Sequence, residues 1–117
     1  MKKIDHTNRL YTIIKNFLIK NCCDTFYIQA APSQIFEKKT FYKGIFVLNT
    51  ELKPLFPDYV EYSTTLFASI DEACEALVNF SINFINTIYS KVANKPEEFY
   101  SFTNQLYKLQ SDYINSK

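Results

Sequence analysis

Nucleophilic chemistry in this chain would have to come from one imidazole and three thiols: His6, Cys22, Cys23 and Cys74. A Cys–His pair works only within hydrogen-bond reach, about 3 Å. His6 and Cys22 stand sixteen positions apart, at the two ends of an apolar-periodic segment. At a helical rise of 1.5 Å per residue that holds them about 24 Å apart, which excludes the pairing. Cys74 falls in the apolar stripe of a later helix, where a thiol is ordinarily inert, and His6 reads as an exposed residue near the chain start. Adjacent Cys22 and Cys23 would form only a strained bridge, and no C-x-x-C is present for zinc or redox work. Three free thiols in a reducing compartment are expected, which points to the cytoplasm.

Carboxylates offer a second chemistry. Asp71, Glu72 and Glu75 are spaced to meet on one side of a helix, as an acid/base pair or a metal site would require. The same residues occupy a first helical turn, where negative charge complements the positive end of the helix, and that position accounts for them. Glu97 and Glu98 have the same explanation. No catalytic, cofactor or metal site is expected. The single glycine, Gly44, reinforces this, because phosphate cradles, dinucleotide turns and nucleophile elbows each need several.

Binding chemistry is better supplied. Phe and Tyr make up 20 of the 117 residues, and Lys outnumbers Arg twelve to one. A/T-rich codons give much of that bias, leaving some aromatics as rigid surface anchors. The segment Lys38–Lys43 interleaves Lys38, Lys39 and Lys43 with Phe41, Tyr42 and Phe46, a pattern suited to stacking on RNA. Lys43-Gly44 matches the start of an RNA-binding strand motif, but Ile45 and Phe46 depart from it. The net charge of +1 gives no strong field for nucleic acid, although residues 1–60 carry +4 and residues 61–117 carry −3. Leu55-Phe56 lies between Pro54 and Pro57, which stiffen the loop. The pair either folds back under the sheet or is presented to a protein partner at low entropic cost. With Tyr42, Tyr59 and Tyr62 it makes the expected protein-binding surface, outside the helix-packed core.

The elements that must position these groups are read from periodicity. Leu10, Ile13, Ile14, Phe17 and Leu18 predict a first helix, capped by Asp5 or Thr7 and ended near Asn21. Strands are expected at Phe26–Ala30, stopped by Pro32-Ser33, and at Phe41–Leu48, with Gly44 a possible bulge. A third is expected from Val60 to Leu66, with Val60, Tyr62, Thr64 and Leu66 on one face. Ser69 and Glu72 form a capping box for a long helix whose stripe runs Ile70, Cys74, Leu77, Ser81, Phe84, Ile85, Ile88 and Val92, widened by Phe80, Ile82 and Tyr89. Asn94-Lys95-Pro96 breaks it. Phe99, Phe102, Leu106, Leu109 and Tyr113 predict a last helix packed in a hairpin on the long one. The fold class is α+β, one domain over residues 1–117: an N-terminal helix, a three-stranded antiparallel sheet and a C-terminal helical hairpin. Charges interrupt every apolar stretch, so neither a signal peptide nor a membrane span is expected.

The helix, three strands, two helices order resembles that of small phage-encoded anti-CRISPR proteins, and Glu97-Glu98-Phe99-Tyr100 is similar to an acidic-aromatic run opening the last helix in one such family. The resemblance implies an inhibitor that binds and blocks a nuclease. Family members that mimic DNA are strongly acidic, whereas this chain is near neutral. The expected function is a small non-catalytic protein-binding module that inhibits a larger macromolecule by occlusion, of anti-defence or immunity-protein type. The alternatives are a nucleic-acid-binding accessory using the Lys38–Lys43 strand, and a cysteine-dependent enzyme.

Overall fold

The computed structural model describes residues 2–32, 39–91 and 97–116, the side chain of Tyr89 excepted. The expected turn at Ser33, Lys38, Val92 in the long stripe and the break at Asn94–Pro96 lie outside the described residues. Helix α1 (Lys3–Asn21) starts three to five residues earlier than expected. Lys2 stands at its N-cap without a side-chain hydrogen bond. Asp5 lies in the first turn and Thr7 is buried, so neither caps it.

Strands β1 (Cys23–Pro32) and β2 (Thr40–Leu48) form a long antiparallel hairpin, and β3 (Glu61–Ser63) pairs with β2 on its other side. The sheet order is β1-β2-β3. Pleating divides the strand residues between two faces. Phe26, Phe46, Leu48 and Tyr62 turn towards the helices, whereas Tyr27, Lys43, Ile45 and Val47 lie on the open face. The third strand is shorter than its alternating pattern suggests. Tyr62 and Thr64 do turn inward, and Thr64 is held by the Gly44 N–H, which donates to its hydroxyl at 2.8 Å. Leu66, however, is 55% exposed.

Gly44 is not a bulge. It pairs regularly with Ile28, and the register shift falls at Cys23/Thr25 instead. The reason for a glycine is the approach of α2 (Ile70–Lys91): a Cβ at position 44 would stand 2.9 Å from the Leu77 Cβ. Helix α2 starts as expected, with the Glu72 N–H donating to the Ser69 hydroxyl at 3.2 Å. The Glu72 carboxylate accepts from that hydroxyl at 3.0 Å.

Helices α1 and α2 cover one face of the sheet side by side, α1 over β1 and α2 over β2. Lys3 of α1 pairs with Glu75 of α2 at 2.9 Å, so their starts adjoin. Helix α3 (Glu97–Asn115) lies across the back of this pair, away from the sheet. Its main partner is α1, with Phe17 stacked on Phe102 at 4.1 Å and Lys20 paired to Glu98 at 3.0 Å. Towards α2, Leu106 and Thr103 face Ile82 and Ile85 across a cavity of about 210 Å³. The last two helices are thus antiparallel, but α1 shares the seam assigned to them by spacing alone. One apolar core runs through all layers, from Phe26 and Phe46 through Leu18 and Leu77 to Phe102 and Leu106.

Candidate docking cleft

Segment 49–56 is tied down at both ends. The Asn49 N–H donates to the Cys22 carbonyl at 2.9 Å, and the Asn49 side chain accepts from the Leu52 N–H at 3.0 Å. Leu55 and Phe56 both donate their N–H groups to the Leu52 carbonyl, at 3.0 and 3.1 Å. A short 3-10 turn, Pro57–Tyr59, then closes the loop, with Pro57 at its first position where no N–H is needed. This order sends two adjacent side chains to opposite fates. Phe56 is 4% exposed and meets the Phe84 ring edge-on at 5.4 Å, whereas Leu55 is 64% exposed.

Beside Leu55 opens a cleft of about 330 Å³. Its walls come from four parts of the chain: Phe17 of α1 and Cys22 at its C-cap, Leu52 and Phe56 of the loop, Ile88 of α2 and Phe99 of α3. The mouth is polar. Asn21, whose side chain donates to the Phe17 carbonyl at 3.0 Å, stands there with Glu98. The hydrogen bond from Lys20 holds the Glu98 carboxyl below its usual range. An apolar floor with a charged lip suits insertion of an apolar side chain, with polar groups around it keeping their water.

The other predicted surface residues do not gather at this cleft. Tyr62 stacks on Phe80 at 3.8 Å, and Tyr59 packs on Phe80 and Phe84. The Tyr59 hydroxyl donates to Thr87 at 2.9 Å, since Thr87 gives its own proton to the Asn83 carbonyl. Tyr42 pairs through its backbone with Phe67 and turns to the helix-covered face, half-buried. The expectation that Phe56 and Tyr62 stand outside the helix-packed core is corrected: both belong to an aromatic cluster around Phe46, Phe80 and Phe84. Only Leu55 of the five is largely exposed.

The Lys38–Lys43 strand is likewise split by the pleat. Lys38 lies outside the described residues, and Lys39 precedes the strand. Lys43 shares the open face with Phe41 and Ile45, while Tyr42 and Phe46 are on the covered side. The alternating aromatics therefore cannot all stack on one nucleic-acid strand.

His6 is not the exposed residue expected from its position. It is 8% exposed and stacks on Tyr113 of α3 at 4.1 Å. All three cysteines are free and buried. Burial pushes the Cys22 thiol up to about 11. Burial also raises Cys23, aided by Cys22 and Asp24, and raises Cys74, aided by Asp71. The thiolate is the nucleophile, so these thiols are held in the unreactive form at neutral pH. Among the described residues no group of three His, Cys, Asp or Glu is placed to hold a metal ion, and no helix is long and apolar enough to cross a membrane.

What the sequence could not supply is the meeting of Phe17, Ile88 and Phe99. Each belongs to an apolar stripe, but nothing local says which stripes converge beside Leu55. No protein-family model, curated protein or solved structure matches this chain.

Proposed function

We propose that the protein is a small non-catalytic binding module that occludes a larger protein, using Leu55 and the cleft beside it. The observation that carries this is the placement of Leu55. A single exposed leucine means little by itself. Here it projects from a hydrogen-bonded loop onto the lip of an apolar cleft, so its contact area is already ordered before any partner arrives. The buried, protonated thiols favour this reading over a cysteine-dependent enzyme. The split of the Lys38–Lys43 strand favours it over nucleic-acid binding. Inhibition of anti-CRISPR, anti-defence or immunity-protein type is its most concrete version, supported by the shared element order and by small size.

The test is affinity capture from the native host with the wild-type chain and with Leu55→Asp side by side. The expected result is one large protein retained by the first and lost with the second, whose activity falls when the wild-type chain is added. Equal capture by both variants would remove the cleft from the account, and unaltered activity would remove inhibition.

A further inference from the structure

We infer that the protein pairs with a second copy of itself along the outer stripe of α3. Three of the large exposed side chains among the described residues fall on this helix: Tyr100 is 44% exposed, Tyr107 58% and Ile114 66%. They are seven residues apart, so each step advances about 10.5 Å and returns to within about 20° of the same direction. Asn104 and Ser111 fill the intervening positions, which makes a seam spaced four, three, four and three with no charge in it. The core holds α3 by other residues, the buried Phe99, Phe102, Thr103 and Leu106. Tyr107 stands at the rim of the cavity that Ile82 and Asn86 of α2 also line, and none of the three lines the cleft beside Leu55.

Spacing, charge and symmetry together identify what covers this stripe. A period of 3.5 residues belongs to helices packed along their length, because it keeps the row facing its partner. A lipid surface is a poor fit. Interfacial helices are rimmed by cations, whereas α3 carries Glu97, Glu98 and Asp112 against Lys108. The row is also symmetric about Tyr107, with a large exposed side chain seven residues to either side. Two copies running antiparallel about a two-fold axis at Tyr107 therefore match group for group. Tyr107 faces its own counterpart, Tyr100 faces Ile114 of the second copy, and Asn104 faces Ser111. The Glu97-Glu98 pairs are carried to opposite ends, about 30 Å apart, whereas a parallel pairing sets them side by side. Lys108, the one charge near the axis, lies about 100° round the helix from Tyr107, so its ammonium stays in water at the rim. A foreign helix could match the spacing, but the symmetry is what a two-fold interface between identical chains requires.

A seam one helix wide lies at the small end of stable interfaces, about 1,200 Å² in total, so the pair forms at high concentration. Sedimentation equilibrium of the purified chain, from micromolar to about millimolar, should show a species at twice the 13.8 kDa chain mass. Tyr107→Lys should weaken it roughly tenfold or more with unchanged circular dichroism. Ile19→Lys, at a comparably exposed position on α1, should leave it unaltered. Added cysteines test the arrangement, since the native thiols are buried. Tyr107→Cys lies on the axis and should oxidise to a linked dimer. Asn104→Cys should link to Ser111→Cys in an equimolar mixture and not to itself, because its own counterpart stands beyond disulfide reach. A monomer throughout that range would overturn the inference. So would a dimer that Tyr107→Lys leaves intact, or one in which Asn104→Cys links to itself as readily as to Ser111→Cys.

Discussion

Leu55 and Phe56 show how far one residue's environment can depart from its neighbour's. Two flanking prolines made the pair legible as a stiff loop, but its direction depends on where Phe84 lies, and Phe84 is 28 residues further along. Because Phe56 fills the aromatic cluster, Phe56→Ala should cost about 3–5 kcal/mol in urea unfolding. Leu55→Ala should change stability by no more than about 0.5 kcal/mol. Gly44 carries a similar lesson. Its rarity was visible, but the need for it comes from Leu77 on another element. Gly44→Ala should destabilise by roughly 1–3 kcal/mol, since a Leu77 Cβ cannot rotate away. The thiols give a pH signature. Cys22 ionises near 9.0 when unfolded and at about 11 in the fold, so its contribution is complete below the lower value. It is lost as pH rises towards the upper one. Comparing wild type with Cys22→Ala across that interval should show the variant's stability falling less steeply, by up to about 1.4 kcal/mol per pH unit.

Among the elements, helices and hairpin were legible because each carries its own period, and the capping box at Ser69 located the start of α2 to the residue. Lengths were less legible. β1 extends beyond its apolar centre because β2 supplies backbone partners out to Pro32, whatever the side chains there. Conversely β3 ends early, with Thr64 using its hydroxyl and amide on Gly44 and the chain then turning towards α2. Helix pairing was the least legible. The narrow stripe of α3 fits any antiparallel neighbour, and α1 takes the larger share through Phe17 and Lys20. Leu106, 4% exposed, lies in the core where α3 meets α2. Leu106→Ala should cost roughly 2–5 kcal/mol, and a change well below that would mean α3 is not held in the core.

At the scale of the whole molecule, the layers leave three different outsides. The sheet has an open face with Tyr27, Ile45 and Val47, β1 forms one edge of the sheet, and the far ends of the helices enclose the cleft. Composition suggested codon bias with some aromatics as surface anchors, whereas many of the rings hold the layers together. The cleft is the place where convergence of all three helices leaves apolar wall uncovered beside an ordered, projecting side chain. The central claim is that Leu55 on this lip is the anchor for a protein partner. The most direct measurement is the dissociation constant of the captured partner for wild type and Leu55→Ala, taken by calorimetry alongside thermal unfolding of both. A hot-spot anchor is worth at least about 2 kcal/mol, which is roughly thirtyfold in affinity, so the variant should bind that much more weakly while melting at the same temperature. Equal affinity for the two chains would contradict the account.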